Sequence, residues 1–319
     1  MLVSTSNCIR MIDDLPGITT ITANRWHHAA FVYDYSTSRQ TLYLNGLLEG
    51  NRTSGFYQGI SGPITIGSIK NNLFFPFNGY VDQVSLVTRA KTASEILFDA
   101  TVVCYYSFDS GSVYDSGSLS LNGSIAGASF TNQGRVNDAL LFTSTNSYLM
   151  SGGMTMLGTT NRAYSFAVWI KATSVINGVI VYVSKCDTNC ASNWCMPFMG
   201  LTATGQIAIQ SWSATSGGTI VILTGPTIMT NTWIHVAYTY SSTNGMRLYL
   251  NGLLYSTSSA FTYLPSNSPN YIYLGSFPLS TCSAASSVIS TDQFYGLMDE
   301  FYLFSREISA ADVSGLANP

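Results

Sequence analysis

Charge is what this chain of 319 residues has least of: 13 lysines and arginines, 16 aspartates and glutamates and 3 histidines, with charged side chains at 9%. That is well under the share in ordinary soluble domains. The net charge of −3 leaves no basic footprint, which excludes nucleic acid as a partner. Long apolar runs are missing too. No stretch approaches the roughly 18 apolar residues of a transmembrane helix, so this segment has no membrane span. The opening "MLVSTSNCIRMIDDLPG" lacks the apolar core of a secretory leader.

The polarity is carried instead by Ser, Thr, Asn and Gly, alongside 20 Tyr and 16 Phe. Aromatic and β-branched side chains suit a pleated, half-buried surface, so this is the composition of β-sheet with turn-rich loops. The six cysteines and two sequons, Asn51-Arg-Thr and Asn122-Gly-Ser, fit an extracellular or cell-surface setting.

The run "LYLNGLL" occurs twice, at residues 42–48 and 248–254. Its neighbours repeat as well. Upstream, "NRWHHAAFVYDY" (24–35) aligns with "NTWIHVAYTYSS" (231–242), sharing Trp26/Trp233, His28/His235, Ala30/Ala237 and Tyr33/Tyr240. Downstream, "ITIGS" (64–68) aligns with "IYLGS" (272–276), and "FNGYVDQVSLVTRAKTASEI" (77–96) with "FYGLMDEFYLFSREISAADV" (294–313). The offset drifts from 207 to 206 to 208 and then jumps to 217, as two related units with one nine-residue insertion would show. "HHAAFVYD", "TLYLNG", "YVDQVSLV" and their partners read as strands. Asn-Gly after "LYL" suits a tight hairpin turn, because both residues tolerate positive φ. Thr92-Ala-Ser-Glu95 and Ser309-Ala-Ala-Asp312 place a hydroxyl three residues before a carboxylate, the start signal of a helix. Many short antiparallel strands with almost no helix predict an all-β sandwich or jelly roll.

These motifs, W-x-H-x-A, then L-Y-L-N-G, then in the second copy G-x-x-D-E-x-x-x-x-x-R-x-x-S-x-x-[DE]-[IV], resemble the laminin-G-like domain of the concanavalin A-like lectin/glucanase superfamily. The second copy also resembles that family's opening, through "VVCYYSFDSGSVYDSGS" (102–118), "GRVNDALLFTSTNSYL" (134–149) and "YSFAVWIKA" (164–172), departing from it at Asn137 and Thr143, where glycine is usual. The resemblance implies a two-sheet antiparallel jelly-roll sandwich. Residues 102–319 are expected to form one complete domain. Residues 1–101 match only the part of it from about Ala208 onward, so they are expected to be the C-terminal half of a truncated domain within a longer, multi-module protein.

The superfamily includes glycosidases, whose retaining members need two carboxyl groups about 5–5.5 Å apart. The nearest pair here is Asp299 and Glu300, adjacent on a strand and so expected on opposite faces. Residue 303 is Leu, Gln83 replaces Glu300 in the first copy, and the glucanase pattern E-x-D-x-x-E is absent. Asp82 and Asp299 are therefore expected to anchor turns or to pair with Arg89 and Arg306. His28 and His235 recur after a Trp without acidic or cysteine neighbours at ligand spacing, and read as satisfied core histidines rather than metal ligands. No enzyme is expected.

Binding remains. Cys186, Cys190 and Cys195, with Cys282 in the inserted loop, are read as two disulfides rather than a zinc site. The loops following "GVIVYVS" and "YIYLGS" are expected to meet at one rim, with Cys282 bonded to one of the other three and the remaining two paired. Cys8 and Cys104 either pair or have lost their partners. Trp194, beside Asn193, and Trp212 are the candidates for stacking on a sugar, with packing over the sandwich edge as the open alternative. The family resemblance adds calcium held by loop oxygens; Asp109 and Asp115 are the nearest pair, and Asp115 also fits a plain turn. The expected function is a non-enzymatic recognition module for glycan or extracellular protein, in the manner of a lectin or cell-adhesion domain. An accessory or vestigial glycoside hydrolase domain and a structural spacer are the alternatives.

Overall fold

A computed structural model of the chain describes residues 10–11, 15–56, 64–67, 77–117, 119–187, 194–215, 218–277, 287–290 and 292–319. Cys8, Cys190, Asn193 and Cys282 lie outside the described residues. The chain divides into two units, Met1–Thr101 and Val102–Pro319.

In the first unit a two-residue antiparallel pair, β1 (Arg10–Met11) and β2 (Leu15–Pro16), precedes a three-stranded meander of β3 (Ala29–Asp34), β4 (Arg39–Leu44) and β5 (Leu47–Thr53). The β4–β5 turn is Asn45-Gly46 with φ of 51° and 81°, as the Asn-Gly pair predicts. Asn45 also ties the hairpin down: its side-chain oxygen accepts from the His28 N–H at 3.0 Å and its own N–H donates to the His28 carbonyl at 2.7 Å. Leu42 and Leu44 pack with Leu15 and Ile21. The helix α1 (Ala93–Thr101) starts where the sequence signals it. Glu95 N–H donates to the Thr92 hydroxyl at 3.2 Å, and the Glu95 carboxylate accepts from Thr92 N–H at 2.8 Å, a reciprocal cap. Arg89 binds that same Glu95 rather than Asp82. Residues 80–87, read from their pattern as a strand, form none.

The second unit opens with β6 (Val102–Tyr106), β7 (Ser124–Ala126), β8 (Ser129–Thr131), β9 (Ala139–Phe142) and β10 (Tyr148–Met154). It continues through β11 (Tyr164–Ala172), β12 (Gly178–Ser184), β13 (Cys195–Leu201), β14 (Gln206–Ser213) and β15 (Thr219–Thr227). Last come β16 (Ile234–Ser241), β17 (Gly245–Leu250), β18 (Leu253–Thr257), β19 (Asn270–Leu274), β20 (Gly296–Phe304) and α2 (Ala310–Leu316). Seven strands form one sheet in the order β15-β14-β13-β12-β19-β10-β7, and eight form the other in the order β18-β17-β16-β11-β20-β9-β8, with β6 paired to β20 beyond β9. All pairings are antiparallel. This is the two-sheet sandwich the composition and the resemblance imply.

Period-two alternation decides what lies between the sheets. From the eight-stranded sheet Phe166, Val168, Ile170, Tyr238, Met298 and Phe301 turn inward; from the other, Phe198, Ile207, Ile209, Ile272 and Leu274 meet them. Phe166 and Phe198 cross edge to face at 6.0 Å, a favoured aromatic arrangement. Buried tyrosine hydroxyls find partners: Tyr164 bonds to Tyr238 at 2.7 Å and Ser211 at 2.8 Å, and Tyr263 donates to the Leu157 carbonyl at 2.8 Å. The hairpin of the first unit recurs at β17–β18. Asn251 and Gly252 have φ of 49° and 83°, and the Asn251 side chain accepts from His235 N–H at 2.9 Å. In both units the turn glycine lies under the helix. A Cβ on Gly46 would sit 2.8 Å from Leu97, and one on Gly252 3.2 Å from Ala317.

The missing strand at 80–87 has a physical cause. Its counterpart β20 is held by β11 on one side. The first unit has no described strand in that place, so an apolar, alternating sequence is left without a ladder to join.

Candidate binding surface

The acidic pair comes first, because it decides whether catalysis is in reach. Met298 and Phe301 both face the core, yet two residues stand between them. The extra residue is a β-bulge: Glu300 has φ of 51° and the β11–β20 register slips beside it. The bulge turns Asp299 and Glu300 to the same outer face, not to opposite faces as strict alternation implies. Each acid is then occupied. Asp299 accepts from the N–H groups of Arg135 (2.7 Å), Val136 (2.9 Å) and Glu300 (2.9 Å). Glu300 accepts from the hydroxyls of Tyr105 (2.9 Å) and Tyr302 (2.8 Å), whose rings stack at 4.2 Å. Burial pushes Asp299 up to about 7 and raises Glu300 as well. The first unit repeats the device: Gln83 has φ of 50° and its N–H donates to Asp82 at 2.8 Å. Asp299 thus anchors a bulge, and Asp82 holds the matching left-handed residue Gln83 in a segment with no described ladder. Arg306 does not pair with Asp299; it binds Asp312 at 2.8 Å, as Arg89 binds Glu95.

The two acids proposed for calcium differ from each other. Asp115 accepts from three main-chain N–H groups, Tyr105 (2.8 Å), Gly117 (2.6 Å) and Leu121 (2.8 Å), which ties these three points of the chain together. Asp109 accepts from Asp138 N–H at 3.2 Å and the Asn137 amide at 3.3 Å. Asn137 has φ of 46°, the left-handed conformation that explains glycine as its usual equivalent in the resemblance. Among the described residues no group of three or more His, Cys, Asp or Glu is placed to hold a metal ion.

Trp194 and Trp212 come together at one rim. The Trp194 indole N–H donates to the Leu264 carbonyl at 3.1 Å, and Leu264 N–H donates to the Trp212 carbonyl at 3.1 Å. Both rings are half-buried against the core, and Trp194 lies 6.3 Å from Phe198 and from Tyr263. Packing is thus a large part of what Trp194 does. The loops after β12 and β19 do not leave from a common rim. The strands are antiparallel neighbours, Ser184 facing Tyr271 and Val181 facing Leu274, so their C-terminal ends point opposite ways. Phe277 and Ile289 instead pack on the outer face of the seven-stranded sheet, where Phe277 stacks on Tyr182 at 3.9 Å. The Gln210 amide meets Ser287 at 2.6 Å there. Cys104 is a buried free thiol.

That outer face carries residues the sequence reading passed over. Tyr182, Tyr273, Phe277 and Ile289 form a cluster of their own, with Tyr148, Met150 and Tyr271 half-exposed at its border. Tyr148 crosses Tyr273 at 5.7 Å, and the Tyr273 hydroxyl donates to the Asp187 carbonyl. The Tyr271 ring lies directly on Gly152, where a Cβ would come within 2.6 Å of it. The signal was legible as alternation in "YLM" and "NYIYL", whose tyrosines fall opposite the core positions Leu149, Ile272 and Leu274. An aromatic shelf bordered by loops, on a rigid sheet, is suited to holding a flat or ring-shaped ligand.

Two antiparallel sheets around an aromatic core, with the acids spent on turns and tyrosines displayed on an outer face, define a jelly-roll sandwich of the lectin type. The chain belongs to the concanavalin A-like lectin/glucanases superfamily in its laminin G form, matched over residues 10–97 and 143–314. No curated protein sequence matches it. Among solved structures it is similar to the binding domain of Paraclostridial Mosquitocidal Protein 1, with TM-score 0.51 and 15% identity over 69% of this chain and 52% of that one. It is also similar to domain 4 of AbnA, a GH43 extracellular arabinanase from Geobacillus stearothermophilus, in complex with arabinotriose (TM-score 0.47, 18% identity, 68% of this chain and 98% of that one). A third is the binding domain of botulinum neurotoxin serotype G (TM-score 0.47, 18% identity, 68% and 50%). The chain spans about half the length of the toxin domains and nearly all of the arabinanase domain.

Proposed function

We propose that the chain is a non-enzymatic extracellular recognition module that binds glycan, or failing that an extracellular protein, on the outer face of the seven-stranded sheet. The observation that carries this is the shelf of Tyr148 and Tyr271 beside the 185–187 and 276–277 segments. Stacking on such a shelf binds a sugar ring weakly, as ligands with few buried atoms generally bind. Trp194 and Trp212 form the second surface in the proposal, at the rim by Leu264, with Asn193 assigned to it by sequence alone. Against hydrolysis stands the state of Asp299 and Glu300, whose oxygens are held by main-chain and tyrosine donors rather than turned to a substrate. The disulfide part of the reading joins Cys282 to one of Cys186, Cys190 and Cys195 and pairs the remaining two. The calcium part of the reading falls on Asp109, since Asp115 is occupied by three main-chain donors.

A glycan array probed with the full chain tests the reading. Retention that is lost in Tyr148→Ala or Tyr271→Ala, but kept in Trp194→Phe, is the expected result. Release of reducing sugar from a panel of polysaccharides would overturn the non-enzymatic part. Binding unaffected by either tyrosine substitution would overturn the placement. A calcium titration against EDTA, read as a shift in thermal midpoint that Asp109→Asn removes, tests the cation.

A further inference from the structure

Charge in the second unit is divided unequally between the two sheets. The strands of the seven-stranded sheet, β7, β10, β12, β13, β14, β15 and β19, contain no Asp, Glu, Lys, Arg or His. Strands of the other sheet carry Lys171, His235, Arg247, Asp299 and Glu300. The sequence between the uncharged strands continues the pattern. Residues 119–134, 143–161, 188–231 and 263–291 hold no acidic or basic side chain, and Lys185 and Asp187, just after β12, are of opposite sign. Part of this uncharged outer face is occupied by the protein itself. Phe277 stacks on Tyr182 of β12, and the Gln210 amide of β14 donates to the Ser287 hydroxyl. On β10 and β19, by contrast, Tyr148, Met150, Gly152 and Tyr271 are half-exposed. One side of the Tyr271 ring rests on Gly152, where a Cβ would stand 2.6 Å from Cε1 and 2.7 Å from Cδ1. Gly152 does not have positive φ, so what glycine supplies here is room for the ring and not backbone freedom. Along β10, Tyr148 and Gly152 are separated by about 13 Å of strand, farther than one sugar ring reaches.

We propose that the ligand of the tyrosine shelf is an oligosaccharide of uncharged sugars, long enough to meet Tyr148 and Tyr271 together, and that Gly152 positions the second of these rings. The inference rests on the reading that the shelf binds glycan. A sugar ring offers a face of C–H groups to a tyrosine and keeps its hydroxyls hydrated at the rim. A carboxylate, sulfate or ammonium group pressed against the same face gives up water and meets no partner charge, a cost that a neutral ring avoids. Affinity built in this way is insensitive to salt, because no ion pair is present to be screened. Contact with both tyrosines at once makes chain length matter: a single sugar reaches one platform, and a chain gains the second without a second loss of free motion.

The test is titration calorimetry of the full chain with neutral oligosaccharides of glucose, xylose, mannose, galactose and arabinose. Single sugars, anionic oligogalacturonate and heparin fragments, and a cationic chitosan fragment are run beside them. At least one neutral chain is expected to bind, about tenfold or more tightly than its single sugar. Its affinity should change by less than about twofold between low salt and about 1 M salt, where the screening length is about 3 Å. Gly152→Ala, which removes no aromatic or polar group, should weaken that binding by about tenfold. Tyr271→Ala should weaken it as far, and Tyr271→Phe should recover most of the loss, which keeps the ring's role testable if Gly152→Ala fails to fold. Tighter binding of a charged glycan than of every neutral chain, lost in Tyr271→Ala, would overturn the neutral ligand while leaving the shelf as the glycan site. Full affinity in a folded Gly152→Ala would overturn the positioning role. Glycan binding that survives both Tyr148→Ala and Tyr271→Ala, or no glycan binding at all, would remove the shelf reading and this inference with it.

Discussion

His235 offers a sharp check on the packing of the outer face. It lies in β16, buried, with its ring 5.4 Å from Trp169, and its Nδ1 has no hydrogen-bond partner among the described residues. Burial lowers its pKa to about 4, against about 6.5 for an exposed imidazole. The unfolded chain therefore takes up a proton between pH 6.5 and 4 that the folded chain refuses, so stability falls as the pH drops through that window. The loss reaches about 3 kcal/mol at pH 4. Asp299, on the other side of Trp169, works in the opposite sense. Its pKa is pushed up to about 7 by burial, so the folded state binds the extra proton and gains stability as the pH falls from 7 toward 4. The wild-type profile is flattened by this opposition, and His235→Leu removes only the His235 part. Urea unfolding at pH 7 and pH 4 should show the wild type losing about 3 kcal/mol relative to His235→Leu between the two. NMR titration of the imidazole should show His235 protonating near pH 4. A midpoint at or above 6.5, or a difference between the two proteins that stays flat from pH 7 to 4, would refute the buried, neutral histidine.

Asp115→Ala strands three main-chain donors and should cost on the order of 3 kcal/mol, read as a shift in urea midpoint; a negligible shift would mean water replaces the carboxylate. Trp194→Ala should lower the thermal midpoint by several degrees in calorimetry, because the half-buried indole packs on Phe198 and Tyr263 and its N–H holds Leu264; an unchanged midpoint would restore it as a ligand-facing tip. Asn251→Ala removes a left-handed turn residue and the acceptor for His235 N–H, a change expected to cost about 1–2 kcal/mol in the same urea assay.

Local rules carried far in this chain. Asn45-Gly46 and Asn251-Gly252 turn where the sequence says, because φ > 0 is a property of those residues themselves. Thr92/Glu95 and Ser309/Asp312 cap helices, because a hydroxyl three residues before a carboxylate needs no distant partner. The all-β class follows from composition and from strands such as "YSFAVWIKA", whose alternation is intrinsic. Tertiary structure decided the rest. "YVDQVSLV" has a strand's pattern but no strand, since a β-ladder is made by two segments and β11 has no described equivalent beside it. Asp299 and Glu300 share a face because a bulge, fixed by donors from the distant Arg135 and Val136, overrides strict alternation. Trp194 reads as a loop residue in sequence and is held against the core by Leu264, 70 residues away. Tyr148 and Tyr271 become a shelf only because β10 and β19 are neighbours, a pairing of segments more than a hundred residues apart that no local pattern encodes.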